Sequence, residues 1–417
     1  MIEGRNMKKL QQKNLIIQKN DSIGPKSFVK KDQYLNTTTQ NVIKEKSIGY
    51  IQTANHNLKK QAIQTRLAAG KKVAFLDLGI NPYGCDRKII KYFNSLKDEV
   101  FHCYFEDDMK ELQETIGNLH QVPDNHIVFS SGLEHMLQML TSCFLNPDDT
   151  VISFDPSFFL FTDYSRLKGA QCVRIPLQET DNFFWTESIF TLYQQALIEQ
   201  KPKMIFLANP NNPTGHYIAL DELEKIIQAA YLHNAIIVID EAFGEYTDGD
   251  KVLESASRFS GVYPNLIVLR TLSKAIGLAD IRMGYAIMQS EWVSAISLHR
   301  ANFPFSRINY KLARYALESG ILFPFLAKVR RTLDGNRKFL YENLERIKNV
   351  KYIPTRCSII MIRHLSFTAA SLMALLAEYG IWVASIPGKN GAAENYIRVT
   401  IGTKEDLKYF IAVLKRL

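Results

Sequence analysis

Short apolar runs alternate with longer amphipathic stretches from Gly70 to the C-terminus. Five of these runs are rich in Ile, Val, Leu and Phe and stop at polar or turn-forming residues: Ile127–Phe129, Val151–Phe154, Met204–Ala208, Ile236–Ile239 and Leu266–Leu269. Such runs, when they alternate with helical patterns, are typical of strands joined by crossover helices. The pattern therefore predicts an α/β fold with a mostly parallel sheet.

The connection between the third and fourth runs shows the helical pattern. Apolar residues at Leu223, Ile226, Ile227 and Ala230 share one face of a helix, and two acids occupy its first turn. This is the crossover that a right-handed strand, helix, strand unit requires.

Polar residues follow each of the five runs. In open α/β sheets, ligands bind beyond the carboxyl ends of the strands, so we expect the chemistry of this protein to lie there. The segments concerned are Ser130 to Gly132, Asp155 to Pro156, Asn209 to Gly215, Asp240 to Glu241 and Arg270 to Lys274.

The positive charge of the chain is concentrated near its N-terminus. The 417 residues carry a formal net charge of +9, and residues 7–60 contain eleven lysines, no arginine and three acids. Because this region accounts for nearly all of the net charge, a nucleic-acid function cannot be inferred from the overall charge. The composition, 46% hydrophobic and 22% charged, is that of a globular protein.

These features predict five regions along the chain. They are a protease-cleavage linker left from expression (1–6), a basic leader (7–50), a segment that joins the smaller domain (51–80), a large domain (81–305) and a C-terminal small domain (306–417). We expect a helix from Ile51 to Ala69. The leader has little hydrophobic periodicity, so it can bury little surface of its own.

The cysteine pattern and the hydropathy indicate a cytoplasmic protein. Five cysteines are scattered without a Cys-x-x-Cys pair, as expected for free thiols, and no apolar run is long enough to span a membrane. No zinc site is visible, and the nine histidines show no ligand spacing. We therefore expect neither a metal nor a membrane partner.

Two residues at the strand ends suggest covalent chemistry. Asp240 follows four β-branched residues, where a buried carboxylate needs a cationic partner. Lys274 lies five residues past another strand, and burial near a cation would make it an imine-forming nucleophile. A phosphate could be bound nearby by Thr271, Ser273, Arg282 and the amides after Gly132. An imine-forming lysine, a carboxylate for a ring nitrogen and a phosphate site together describe pyridoxal phosphate.

Four strings in the chain resemble fold-type I aminotransferases of the histidinol-phosphate aminotransferase branch. They are Asn-Pro-Asn-Asn-Pro-Thr-Gly (209–215), Asp-Glu-Ala-Phe (240–243), Arg-Thr-Leu-Ser-Lys-Ala-x-Gly-Leu-Ala-x-x-Arg-x-Gly-Tyr (270–285) and Arg-Val-Thr-Ile-Gly-Thr (398–403). The resemblance covers roughly Asp77 to Leu417. It implies a large domain with a mostly parallel seven-stranded sheet flanked by helices, and a smaller α+β domain.

The resemblance also implies roles for individual residues. Lys274 would hold the cofactor through an imine and move the substrate proton, and Asp240 would keep the pyridine nitrogen protonated. Asn212 would bond the phenolic oxygen of the cofactor, with Phe158 stacked on the ring and Phe243 beside it. The phosphate would be bound by the amides of Gly132, Leu133 and Glu134 and by Thr271, Ser273 and Arg282. Arg398 and Asn81 would bind the substrate, and Tyr104 would reach the neighbouring subunit of a homodimer with shared active sites.

Three positions depart from the family pattern. Phe243 stands where a tyrosine hydroxyl usually bonds the phenolic oxygen, so transamination is less certain. Ala384 stands where histidinol-phosphate enzymes carry a phosphate-binding arginine, and Ile80 replaces an acidic residue before Asn-Pro-x-Gly. The sequence therefore predicts an aminotransferase for an amino acid or related primary amine other than histidinol phosphate. The alternative is a decarboxylase similar to the threonine-phosphate decarboxylases.

A regulator that senses the cofactor and binds DNA through its basic leader is a third hypothesis. Such a protein needs a folded DNA-reading element, and the leader lacks the apolar pattern of a helix-turn-helix. We therefore favour the enzyme and expect no nucleic-acid partner.

Overall fold

A computed structural model describes residues 53–96, 104–105, 109–249, 252–387 and 391–417. The predicted linker and basic leader lie outside these residues. The predicted N-terminal helix is observed as α1, which begins at Thr53 and ends at Ala68.

Seven strands form the larger sheet. In chain order they are β2 (Ile127–Ser130), β3 (Thr150–Asp155), β4 (Gln171–Pro176), β5 (Met204–Ala208), β6 (Ile236–Asp240), β7 (Leu266–Thr271) and β8 (Gly284–Ile287). Their spatial order is β2-β8-β7-β6-β5-β3-β4. The pairs from β4 to β7 are parallel, and β8 is antiparallel to both β2 and β7. The prediction of a mostly parallel seven-stranded sheet is confirmed.

The central strands are buried along their whole length. Every residue of β5, β6 and β7 is buried, which explains why these segments are continuous apolar runs without alternation. The helices that join consecutive strands from β2 to β6 are α4 (Leu133–Phe144), α5 (Leu160–Leu167), α6 (Glu187–Gln200) and α7 (Leu220–Leu232). The helix predicted from the apolar spacing between β5 and β6 is α7, with Leu223, Ile226, Ile227 and Ala230 all buried.

The smaller sheet combines residues from both ends of the described chain. Its strands are β1 (Ala74–Leu76), β9 (Val350–Ile353), β10 (Ile359–His364), β11 (Ile381–Ser385) and β12 (Ile397–Thr400). Their order is β1-β11-β12-β10-β9, with β1 parallel to β11. The strand β1 lies in the smaller sheet. The predicted division of the chain into domains, with boundaries at 80/81 and 305/306, stays a prediction.

The other helices cover the sheets and join them. They are α2 (Arg87–Ser95), α3 (Lys110–His120), α8 (Ser290–Ser297), α9 (Arg307–Leu317), α10 (Ser319–Leu344), α11 (Ala369–Glu378) and α12 (Lys404–Leu414). In the part of the chain that the structure describes, no helix has both the length and the apolar character needed to cross a membrane.

A buried ionic network lies beside the carboxyl ends of β6 and β7. Arg270 is fully buried, and its Nε lies 2.8 Å from Oε2 of Glu241 and its Nη1 lies 3.0 Å from Oδ2 of Asp248. Burial raises the pKa of the nearby Glu245 carboxyl to about 7, although the charge of Arg270 opposes this rise. Glu241 follows Asp240 and Arg270 precedes Thr271, and both of these neighbours are predicted site residues. Their ion pair therefore holds those strand ends together.

Candidate active site

A cavity of about 540 Å³ opens at the carboxyl ends of β5, β6 and β7. Residues from the larger sheet, from the segment after β1 and from β12 form its wall. Most of the predicted site residues line it: Leu133, Glu134, Phe158, Asn212, Asp240, Phe243, Thr271, Ser273, Lys274, Arg282 and Arg398. The structure thus brings together side chains that are up to 265 positions apart in the chain, Leu133 and Arg398 being the extremes.

Lys274 lies in the turn that follows β7. Its Nζ donates a hydrogen bond to the carbonyl oxygen of Leu78 at 3.1 Å and lies 5.4 Å from the ring centroid of Phe243. Removal from water lowers the pKa of this amine to about 8, the charges of Arg398 and Arg282 act in the same direction, and Asp240 opposes them. A larger fraction of the amine is therefore neutral, and nucleophilic, near neutral pH than for an ordinary lysine.

Asp240 is the last residue of β6 and is 6% exposed. Burial raises the pKa of its carboxyl to about 6, while the N–H of Ala242, 2.9 Å from Oδ1, and the charge of Lys274 lower it. A protonated ring nitrogen in the cavity would supply a cationic partner and restore full ionisation. The chemistry of this position fits a pyridinium group.

The residues predicted to bind phosphate meet at the start of α4. Gly132 precedes the helix with φ +82°, and a Cβ built on it would lie 2.3 Å from Nη2 of Arg282. The guanidinium therefore lies over the helix N-terminus, where free N–H groups and the helix dipole favour an anion. Thr271 Oγ1 donates to Ser273 Oγ at 3.0 Å beside them.

The Gly132 amide has a structural partner. Its N–H donates to the carbonyl oxygen of Ser130 at 2.7 Å, which leaves the amides of Leu133 and Glu134 to face an anion. Gly132 itself leaves room for Arg282, because it has no side chain that would clash with the guanidinium. The Glu134 carboxylate accepts a hydrogen bond from the Tyr164 hydroxyl at 2.6 Å.

Arg398 projects from β12 toward the cavity wall. Its Nη1 donates to Oδ1 of Asn212 at 3.0 Å, and its Nη2 donates to the carbonyl oxygen of Asp77 at 2.6 Å. Its Nε is buried and has no hydrogen-bond partner among the described residues. Burial lowers the pKa of the guanidinium. Two hydrogen bonds thus hold the Arg398 guanidinium in place, and it keeps N–H groups that have no partner among the described residues.

Two predicted residues lie away from the cavity wall. The amide of Asn81 is buried, and its Nδ2 donates to the carbonyl oxygens of Ala275 at 2.9 Å and Gly84 at 3.1 Å. Its Oδ1 accepts from the N–H of Tyr83 at 3.0 Å, so the Asn81 amide shapes the turn beside Lys274, and its contact with a substrate stays a prediction. Tyr104 is 72% exposed and stacks on Phe303 with ring centroids 4.5 Å apart.

Sequence reasoning missed several apolar residues of the wall. Leu78, Phe159 and Leu160 line the cavity, and Ile80 does so as well, although it was noted only as a departure from a motif. The Leu78 carbonyl that receives the Lys274 hydrogen bond had no signal in the sequence, because every residue carries such a group. The repeated aromatic residues at 158 and 159 were the one available signal for Phe159.

Comparison with known proteins agrees with this geometry. The family model described as aminotransferase class I and II matches residues 71–414. The chain belongs to this family. It is therefore a pyridoxal-phosphate-dependent transferase. Lys274, the buried carboxylate of Asp240 and the anion-binding N-terminus of α4 fit that cofactor.

Its similar relatives are aminotransferases. The chain is 27% identical to the histidinol-phosphate aminotransferase of Caldanaerobacter subterraneus subsp. tengcongensis, over 82% of this chain and 92% of the relative. It is 29% identical to the enzyme of the same name from Thermoanaerobacter pseudethanolicus, over the same shares of both chains.

Solved structures share the fold. The histidinol-phosphate aminotransferase of Sinorhizobium meliloti in complex with pyridoxal-5'-phosphate has a TM-score of 0.72 at 20% identity and covers 85% of this chain and 93% of its own. A decarboxylase from Sulfurospirillum multivorans has a TM-score of 0.70 at 24% identity and covers 86% of this chain and 99% of its own. The prediction of a fold-type I aminotransferase is confirmed.

Phe243 lacks the hydroxyl of the tyrosine that is usual at this position, and restoring that hydroxyl tests its effect on the cofactor. The Phe243→Tyr variant would place a donor near the lysine-bound cofactor and stabilise its deprotonated, anionic form. We expect the pH titration of cofactor absorbance to move down by about 1 pH unit, the size expected for one hydrogen bond to a charged group. The same change at the remote, partly buried Phe190 should leave the titration unchanged. An unshifted Phe243→Tyr curve would show that this ring does not face the cofactor.

Proposed function

We propose that the protein is an aminotransferase for an α-amino acid, which it binds through the α-carboxylate, and that histidinol phosphate is not its substrate. The observation that carries this proposal is the fixed guanidinium of Arg398. Asn212 and Asp77 hold it at the wall, and its Nε has no partner in the described structure. A planar, pre-oriented guanidinium is suited to a carboxylate.

Each of the other residues of the cavity wall would then carry out one part of the reaction. Bound pyridoxal phosphate withdraws electrons from the substrate Cα. Asp240 would stabilise the proton on the ring nitrogen, and Lys274, once released, would take the proton from Cα as a general base and deliver it to C4′ of the cofactor, on the other side of the amine nitrogen. The partly lowered pKa of Lys274 suits both directions of this transfer. Arg282 and the start of α4 would hold the cofactor phosphate, and Phe158 would pack on the ring.

The register of the smaller sheet supports the exclusion of histidinol phosphate. Ala384 on β11 pairs with Arg398 on β12, so the two residues are direct neighbours. The methyl group of Ala384 cannot bind phosphate, and histidinol phosphate has no carboxylate for Arg398. The relatives named for histidinol phosphate are 27% and 29% identical to this chain, which leaves room for a different substrate.

A panel of amine donors tests the proposal. The protein with bound cofactor is mixed with α-amino acids, histidinol phosphate and amines without a carboxylate. The cofactor absorbance is measured with each donor alone, and the products are measured with a keto acid added to take up the amino group. We expect turnover only with carboxylate-bearing donors. Arg398→Lys should lower their kcat/KM by ~10²-fold, because a lysine cannot form the bidentate contact. The exposed Arg416→Lys variant is the matched control. Histidinol phosphate as the best donor would refute the proposal.

Decarboxylation is the second candidate. Phe243 supports it, because the ring lines the cavity without the hydroxyl that aminotransferases usually place there. The fold similarity to the Sulfurospirillum multivorans decarboxylase is consistent with both reactions. The same panel separates them, because decarboxylation yields an amine and carbon dioxide where transamination yields a keto acid.

We also propose a homodimer in which each subunit contributes to the other's site. Tyr104 and Phe303 form an exposed aromatic pair outside the cavity of their own chain. An exposed pair of this kind suits an interface, and Tyr104 would reach the phosphate of the neighbouring site. The hypothesis of a DNA-binding regulator concerns residues that lie mostly outside the described structure and stays a prediction.

A further inference from the structure

The carboxylate of Glu134 lies close to the position expected for the cofactor phosphate. Glu134 is the second residue of α4, and it lines the cavity together with Leu133 and Arg282. Its backbone N–H is one of the amides expected to bind the phosphate. A carboxylate beside a phosphate repels it and competes with it for the same hydrogen-bond donors. The backbone of Glu134 can therefore serve the phosphate well only if its side chain is directed elsewhere.

The start of α4 attracts the Glu134 carboxylate as well as the phosphate. The N-terminus of a helix carries a partial positive charge that stabilises acids in the first turn, and Glu134 is an acid in the first turn of α4. The residue before the helix, Gly132, has no side chain that could cap the free amides, and the Arg282 guanidinium lies over the same end. An unrestrained Glu134 side chain would thus be drawn toward the phosphate position.

Tyr164 on α5 binds this carboxylate. Its hydroxyl donates to Oε1 of Glu134 at 2.6 Å and accepts from Nε2 of Gln138 at 2.9 Å. Gln138 lies one turn beyond Glu134 on α4, so a hydroxyl that contacts both residues lies on the side of Glu134 that faces away from the helix N-terminus. The hydrogen bond therefore draws the carboxylate along the helix, away from the amides that would bind the phosphate.

The environment of Tyr164 keeps its hydroxyl a donor. Its half-buried ring packs against the apolar core between α4, α5 and the larger sheet. Burial and the hydrogen bond to Glu134 raise the pKa of the Tyr164 hydroxyl to about 12. The hydroxyl thus keeps its proton near neutral pH, and a hydrogen bond from it to an ionised carboxylate is of the strong, charge-assisted kind.

We propose that Tyr164 is a positioning residue for the cofactor, which holds the Glu134 carboxylate away from the phosphate and keeps the start of α4 open to it. This inference rests on the part of the proposed function that places the cofactor phosphate at Arg282 and the start of α4. It does not depend on the identity of the amino donor. Its effect is confined to the phosphate, because the ring of the cofactor would lie at Asp240 and Phe158.

The experiment measures the dissociation constants of the cofactor-free protein for pyridoxal phosphate and for pyridoxal, which has the same ring and aldehyde but no phosphate. Tyr164→Phe removes only the hydroxyl oxygen. We expect it to weaken binding of pyridoxal phosphate by ~10-fold and to leave binding of pyridoxal unchanged, since only the phosphate meets the released carboxylate. Adding Glu134→Gln to this variant should restore the affinity for pyridoxal phosphate, because the amide carries no charge.

The chain offers a matched control and a second variant. Tyr352→Phe removes a hydroxyl that donates to Glu345 at 3.0 Å in the smaller-sheet region, and it should change neither dissociation constant. Glu134→Asp keeps the charge but shortens the side chain, which takes it out of reach of Tyr164. This variant should weaken binding of pyridoxal phosphate selectively, and it decides the question if Tyr164→Phe does not fold. A contribution from a second subunit would be common to all variants and cancels in the comparison.

Arg282→Gln separates the two kinds of failure. If it weakens binding of pyridoxal phosphate but not of pyridoxal, the phosphate lies where the proposed function places it. The role of Tyr164 is then overturned by an unchanged dissociation constant in folded Tyr164→Phe, by equal weakening of both ligands, or by a loss that Glu134→Gln does not reverse. If Arg282→Gln affects both ligands equally or neither of them, the phosphate lies elsewhere, and that part of the proposed function fails together with this inference.

Discussion

The Lys274→Ala variant is expected to lose at least ~10⁴-fold in turnover, because one side chain supplies both the covalent attachment and the proton transfer. The fold should survive. Lys274 is half-buried, and its Nζ makes one hydrogen bond, to the Leu78 carbonyl, among the described residues. Steady-state kinetics measures the loss of turnover, and circular dichroism measures whether the fold survives. The exposed Lys415→Ala variant is the control, and wild-type turnover by Lys274→Ala would overturn the mechanism.

The same lysine sets the pH dependence of cofactor uptake. Burial and the charge of Arg398 lower the pKa of the Lys274 amine to about 8, so its neutral, nucleophilic fraction grows as pH rises through that value. An ordinary lysine would do so only near pH ~10.4. The rate at which the cofactor-free protein takes up pyridoxal phosphate should therefore increase with a midpoint near 8. A midpoint near that of free lysine would show that the amine is not held in this environment.

The Asp240→Asn variant has the second largest expected effect, a loss of ~10³-fold in kcat with the cofactor still bound. Asparagine has nearly the same shape but no charge, so it cannot stabilise a proton on the ring nitrogen. The carboxyl is buried and held by the Ala242 N–H at 2.9 Å, which fixes its position at the end of β6. Without that proton, the ring withdraws less charge from the substrate Cα.

The matched control for this change is Asp221→Asn, at an exposed position in the first turn of α7. Steady-state kinetics, cofactor content and the absorbance spectrum should be measured for both variants. Unchanged kcat in an Asp240→Asn protein with full cofactor content would show that this carboxylate does not face the ring nitrogen. Loss of the cofactor alone would mean that Asp240 serves binding more than catalysis.

Local patterns predicted the larger sheet well. The apolar runs 204–208, 236–239 and 266–269 became the buried strands β5, β6 and β7. Since parallel strands point the same way, their polar ends had to meet at one edge. Asp240 and Lys274 therefore lie in one cavity, as the sequence indicated.

Contacts between the two sheets could not be predicted in the same way. The strand β1 pairs with β11, more than 300 positions later, and brings the segment Asp77–Asn81 between Lys274 and Arg398. The amide of Asn81, which is predicted to bind the substrate, also makes a hydrogen bond in the turn beside Lys274. Both outcomes depend on backbone N–H and C=O groups. Because nearly every residue carries these groups, the residue types do not predict where they pair.

The amino-acid sequence by itself determined the fold class and the cofactor, because apolar runs, the polar residues at their carboxyl ends and the four family-like motifs are all written in short stretches of chain. Only the tertiary structure decided which partners hold Arg398 and which apolar side chains line the cavity. These depend on how the smaller sheet sits against the larger one. That arrangement comes from packing between segments hundreds of residues apart, and no local pattern encodes it.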